Sequence, residues 1–157
     1  MIYGLNKKEG KMKKALLIID VQKSAVTRPD LAKKIEALQA NYENIFVSFF
    51  KNEGSPLLKL LDWTGYEDES PAFQPVKNAV IFTKNGYSSY LPEMKKFDEI
   101  HLCGFDTDAC VYKTAMDLME KNTRPIVLKE YCFSKNEQFH QMGIKLIERN
   151  IGAGNIR

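Results

Sequence analysis

Residues 15–19 read ALLII and run directly into Asp20. Five consecutive apolar residues ended by an acid leave no polar face for solvent, the pattern of a strand buried on both sides in a parallel sheet. Pro29 and Asp30 then open a helical pattern in which Leu31, Ile35, Leu38 and Tyr42 recur at helical spacing, leading into a second strand-like run at 45–50. The alternation continues: strands are expected at 79–83, 99–104 and 125–129, with helical patterns near 91–96, 110–121 and 139–149. Gly152 and Gly154 turn the chain into an expected short last strand at 155–157. Parallel strands need crossover connections, so the pattern predicts an α/β protein of three layers, an open parallel sheet covered on both faces.

The alternation weakens once, over residues 51–74, a segment with glycines and prolines and one short apolar helix candidate at 57–61. We read it as a functional excursion. No repeat, low-complexity tract or linker divides the chain. The expected organisation is therefore an N-terminal extension with the start of the first strand at 1–14, and one domain at 15–157. A chain of 157 residues buries roughly two thirds of its unfolded surface, enough for one core.

Composition narrows the partners. The 23 basic and 20 acidic residues are interspersed, which favours a solvated surface over a nucleic-acid groove. The densest basic stretch, residues 7–14, reads as a soluble N-terminus. No apolar run approaches the ~20 residues of a membrane span, and no signal peptide is legible. Three cysteines at 103, 110 and 132 suit neither a disulfide framework nor a CxxC metal site. A cytoplasmic protein is expected.

In open α/β sheets ligands bind beyond the carboxyl ends of the strands. Three polar residues belong there: Asp20 after ALLII, Lys84 after AVIFT, and Cys110 six residues past Gly104. A thiol attacks as its thiolate, and its unperturbed pKa of ~8.5 calls for help at neutral pH. The start of a helix at Cys110 and the charge of Lys84 would stabilise the anion, while Asp20 would accept the thiol proton and return it to a leaving group. Asp106 and Asp108 flank the cysteine and are expected to oppose its ionisation. Taken singly, each residue has an ordinary structural role: a packed thiol, a turn acid, a solvated lysine.

The blocks LLIIDVQ, FTKNGYSSY and LCGFDTDACVYKTAMDL, in this order, resemble the isochorismatase-like hydrolases, which include nicotinamidases. The third block is the most specific, and the likeness extends from about Ala15 to the last helix. The resemblance implies a six-stranded parallel sheet in the order 3-2-1-4-5-6, with Asp20, Lys84 and Cys110 as catalytic Asp, Lys and Cys. It also implies a cis peptide at Phe105–Asp106 and an oxyanion site formed by the backbone N–H groups of Asp106 and Cys110. The activity implied is hydrolysis of a small C–N bond through a thioester, without a cofactor, in a homodimer or higher homo-oligomer.

Departures from the family pattern bear on the substrate. Nicotinamidases use an Asp and histidines in the excursion to hold a metal, whereas here it contains no histidine, and His101 and His140 lie in a strand and at the last helix. No metal site is expected. Lys51 is the one obvious extra cation near the strand ends, too few for a dianion such as isochorismate. Gln22, Phe49, Trp63 and Tyr87 are the substrate-binding candidates, and a small neutral amide or related acyl compound is the expected substrate.

Other classes fit less well. A receiver-type domain needs an acidic cluster after the first strand, but Asp20 is followed by Val21 and Gln22. Dinucleotide and NTP binding lack GxGxxG or GxxxxGK[ST] loops. A non-catalytic relative using the pocket for binding or assembly would have no need of all three polar residues.

Overall fold

The computed structural model describes residues 10–157; the first part of the basic N-terminal stretch lies outside them. Five strands, β1 (Lys14–Ile19), β2 (Ile45–Phe50), β3 (Val80–Lys84), β4 (Glu99–Phe105) and β5 (Arg124–Phe133), form one parallel sheet in the order β3-β2-β1-β4-β5. The helices are α1 (Pro29–Leu38), α2 (Pro56–Leu61), α3 (Tyr112–Glu120) and α4 (Glu137–Ile151).

Period-two alternation along β1 divides the core. Leu16 and Ile18 point to one side, where Leu31 and Ile35 of α1 pack with Val47 and Phe105. Ala15, Leu17 and Ile19 point to the other, against Ala115 and Leu118 of α3 and Ile147 of α4. This is the expected three-layer α/β/α arrangement. All of β1 beyond Lys14 is buried, as strands covered on both faces must be.

The sixth strand is a correction. Residues Ala153–Asn155 form a 3-10 turn, and Ile156 makes a single parallel bridge to Val127. Asn155 is held in that turn by its N–H to the Gly152 carbonyl and by its side-chain oxygen, which accepts from Arg124 Nε at 2.7 Å. Backbone pairing with β5 is confined to the Ile156 bridge and to Arg157, whose N–H donates to Val127 O at 2.9 Å and whose carbonyl accepts from Lys129 N at 2.8 Å. β5 also runs four residues past its expected end at Lys129, to Phe133, with a register shift opposite Leu102 and Gly104. The helical pattern near 91–96 is a 3-10 turn, Pro92–Lys96.

Gly104 shows why the sheet can be so tight beneath the carboxyl edge. Its φ is +118°, and a Cβ there would lie 2.0 Å from the Ile19 carbonyl oxygen. Only glycine permits that approach of β4 to the end of β1.

Candidate active site

β1 ends at Ile19, and Asp20 follows in a left-handed conformation with φ 54°, a region that Asp tolerates better than most side chains. Its backbone N–H still donates to Ser48 O at 3.0 Å, so the carboxylate is presented from a fixed backbone at the sheet edge, fully buried. β3 delivers Lys84, whose side chain is only 8% exposed. Its ammonium lies 2.9 Å from Asp20 Oδ2 and 3.3 Å from Cys110 Sγ. Nζ also donates to the carbonyls of Gly86 at 3.0 Å and Tyr87 at 2.9 Å. The structure thus gathers Asp20, Lys84 and Cys110 from the ends of three chain segments into one cluster.

Cys110 sits inside a single π-helical turn, Thr107–Val111, that precedes α3, and not at the first residue of an α-helix as the spacing predicts. The Phe105–Asp106 peptide leading into it is cis, at the expected bond. The turn is backed by α4: a Cβ on Gly143 would come within 2.7 Å of the Asp108 nitrogen, and His140 Nδ1 lies 2.8 Å from Thr107 Oγ1. Buried small polar groups complete the floor. Ser48 Oγ donates to Asp20 Oδ1 at 3.3 Å and lies 2.8 Å from Ser89 Oγ. The Ser89 N–H donates to Thr114 Oγ1, which in turn donates to the Cys110 carbonyl. The serines were visible in FTKNGYSSY, but only the fold shows that Ser89 reaches Ser48.

Burial raises the pKa of Asp20, and the Lys84 charge opposes the rise. Burial also raises the Cys110 thiol, with the negative charge of Asp20 as the second cause and Lys84 again opposing. Burial thus disfavours the charged form of both Asp20 and Cys110, and the Lys84 side chain, within 3.3 Å of both, favours it. Moving the thiol proton to Asp20 leaves the net charge of the cluster unchanged, so it avoids the cost of creating a second buried charge. The expected antagonism of Asp106 and Asp108 takes another form. Asp108 Oδ1 accepts from Ser134 Oγ at 2.6 Å, and the acid that acts on the thiol is Asp20. Burial and the neighbouring Asp108 raise Asp106 itself to about 6.

Over the thiol lies a cleft of about 220 Å³, lined by Phe50, Trp63, Tyr66, Tyr87, Asp106 and Cys110 with Leu57, Leu61 and Ala109. It is smaller than the ~300–1,000 Å³ of drug-sized ligand sites. Larger hollows of about 310 and 680 Å³ lie beside α4 and at the amino end of the sheet, but neither is lined by Cys110. Trp63 and Tyr87 are where the sequence places them. Phe49 is not: it packs in the core with Leu31 and Val47, and the next residue, Phe50, faces the cleft. Gln22 is fully buried and committed to the backbone. Its Oε1 accepts from Phe50 N at 2.8 Å, and its Nε2 donates to Phe50 O at 3.0 Å and Asp68 O at 3.2 Å. It clamps the excursion to β2. Tyr66 and the Asp106 side chain are wall residues that the sequence reading missed.

Lys51, the extra cation, pairs with Glu53 at 2.9 Å and Glu69 at 4.0 Å. A nicotinamidase-type metal does not fit the donor set: the cleft offers one carboxylate, Asp106, and no imidazole, and no group of three or more His, Cys, Asp or Glu among the described residues could hold an ion. His101 is bound to Tyr42 and Glu99, away from this edge. No described helix is long and apolar enough to cross a membrane.

A buried Asp–Lys–Cys cluster at the carboxyl edge of this sheet is an arrangement expected of the isochorismatase-like hydrolases, and the isochorismatase domain matches residues 14–154. The chain belongs to the isochorismatase family of hydrolases. It is 36% identical over 83 residues to the uncharacterized isochorismatase family protein PncA of Bacillus subtilis, a stretch that is 48% of this chain and 45% of that protein. It is 32% identical over 63 residues to isochorismatase domain-containing protein 2 of Xenopus laevis, covering 36% of this chain and 31% of that one. The matched stretch is thus under half the length of either curated relative. The fold is shared with the pyrazinamidase/nicotinamidase of Streptococcus mutans, with a TM-score of 0.72 at 19% identity over 92% of this chain and 99% of that one. It is also shared with an isochorismatase-like hydrolase of Alkaliphilus metalliredigens, at 0.69 and 21% over 92% and 94%.

Proposed function

We propose that this chain is a cysteine hydrolase that cleaves a small amide through a thioester on Cys110. The observation that carries the reading is the Lys84 ammonium, 2.9 Å from Asp20 and 3.3 Å from the Cys110 sulfur, at the floor of a small aromatic cleft. The sulfur attacks the acyl carbon and its proton passes to Asp20, while Lys84 compensates the negative charge of the pair throughout. The backbone N–H groups of Asp106 and Cys110 are assigned to the oxyanion. As the C–N bond breaks, Asp20 returns the proton to the leaving nitrogen. Water then attacks the thioester, gives a proton to Asp20, and the acid leaves as the thiol is re-formed. None of these steps calls for a cofactor.

Amide chemistry is favoured over enol-ether cleavage of an isochorismate-like dianion. Lys84 is already saturated by Asp20, Cys110 and two carbonyls, and Lys51 is paired with two glutamates. A dicarboxylate needs paired free cations. That the nicotinamidases of Streptococcus mutans and Bacillus subtilis share the fold agrees with this direction. The test is a screen of small amides, including nicotinamide, pyrazinamide, ureido acids and short aliphatic amides, with intact-mass trapping of the acyl adduct. A thioester on Cys110 is expected. Turnover confined to a dianion, with no adduct, would overturn the proposal.

A further inference from the structure

The wall of the cleft opposite the triad has a chemistry of its own. Phe50, Trp63 and Tyr66 meet edge to face, with ring centroids 5.9, 5.8 and 5.4 Å apart and planes inclined by 68–74°. Rings so inclined turn their faces in different directions, and all three line the cleft. Lys84 already lies over the Phe50 ring at 5.5 Å, which leaves Trp63 and Tyr66 as the available π surfaces. Beside them is the Asp106 carboxylate, whose Oδ1 accepts from Tyr66 OH at 3.4 Å and which pairs with no cation among the described residues. Asp106 is the one carboxylate among the residues that line the cleft, and no Lys or Arg is among them.

The strap that supplies Trp63 and Tyr66 points the same way. Between Lys59 and Lys77 it carries Asp62, Glu67, Asp68 and Glu69 and no basic residue. An aromatic corner with a carboxylate at its side, carried on a strap rich in acids, draws in positive charge and holds it against ring faces. A neutral amide uses none of this, and an anion is repelled by it.

We infer that the cleft selects a small amide bearing a positively charged nitrogen close to its acyl group, with the cation held by Trp63, Tyr66 and the Asp106 carboxylate and the carbonyl carbon over Cys110. This rests on the amide-hydrolase reading and changes the expected substrate from neutral to cationic.

The probes are trimethylammonioacetamide and tert-butylacetamide, which have the same shape and differ in a charged nitrogen for a carbon. Binding is read first in the Cys110→Ser protein, where turnover plays no part, from the fluorescence of the chain's single tryptophan, Trp63. The cation is expected to bind at least about tenfold more tightly than its neutral isostere. In otherwise unaltered protein the ratio of kcat/KM for the two amides should show the same preference, and Asp106→Asn should reduce that ratio several-fold. Affinities within about twofold of each other in the Cys110→Ser protein overturn the inference without any reliance on the Asp106 variant. Cation preference with no turnover of any amide overturns the hydrolase reading and keeps the cation site. Turnover of both amides without preference does the reverse.

Discussion

Cys110 differs from the other two thiols in what it faces. Cys103 is fully buried and Cys132 nearly so, with burial alone the main reason their pKa values are raised, Cys132 to about 12. Cys110 lines the cleft beside an ammonium. Iodoacetamide at neutral pH is therefore expected to modify Cys110 first, with Cys103 and Cys132 reacting only on unfolding; peptide mass mapping checks the order. Cys110→Ser should lose hydrolysis and keep its circular dichroism spectrum, while Cys103→Ala keeps turnover largely unchanged. Asp106 gives a second prediction. Its carboxyl holds a proton up to about 6 in the folded state, above its ordinary value, so between these values the native state binds more protons than the unfolded chain. Stability from this group is present at low pH and lost as pH rises through about 6. Relative to the unaltered protein, Asp106→Asn should therefore gain about 1–2 kcal/mol between pH ~4 and pH ~7, after allowance for solvent screening, as measured by urea unfolding.

Elements were legible in proportion to the regularity of their pattern. Strands β1, β2 and β4 are short apolar runs flanked by polar residues, and their positions followed from that. β2 shows the limit: all six residues of IFVSFF are buried, so no alternation marks which face each ring takes, and Phe49 stood in for Phe50. The π-helical turn at 107–111 left no trace in the spacing, because it is shaped by contact with α4. That contact is testable. Gly143→Ala places a methyl within 2.7–2.9 Å of the backbone of Thr107 and Asp108, which cannot move aside as a side chain can. We expect a loss of about 1–3 kcal/mol in stability together with a fall in kcat, because the displaced turn carries Cys110, the proposed nucleophile; denaturant unfolding and steady-state kinetics read the two effects.

At the scale of the molecule, the excursion both walls the cleft and leaves apolar surface outside. Leu57 and Leu61 contribute to the cleft, yet Leu60 is 80% and Leu61 68% exposed, and Val80 and Ile81 on the edge strand are about half exposed. We propose that a second copy of the chain covers this surface. Sedimentation at tens of micromolar should show a dimer or larger species, and Leu60→Glu should shift it toward monomer; monomer alone in the unaltered protein would reject the proposal. By itself the sequence determined the α/β class, the central strands and the position of Asp20 and Lys84 at the sheet edge, because apolar runs encode burial and polar residues directly after such runs must lie at that edge. Tertiary structure decided the rest: which phenylalanine faces the cleft, that Gln22 is a clamp, that Ile156 makes a bridge in place of a strand, and that the Asp106 carboxylate meets Tyr66 in the cleft wall. Those outcomes depend on contacts between residues about 30–50 positions apart, and side-chain direction in a fully buried strand or an irregular strap is set by such packing, which no local pattern records.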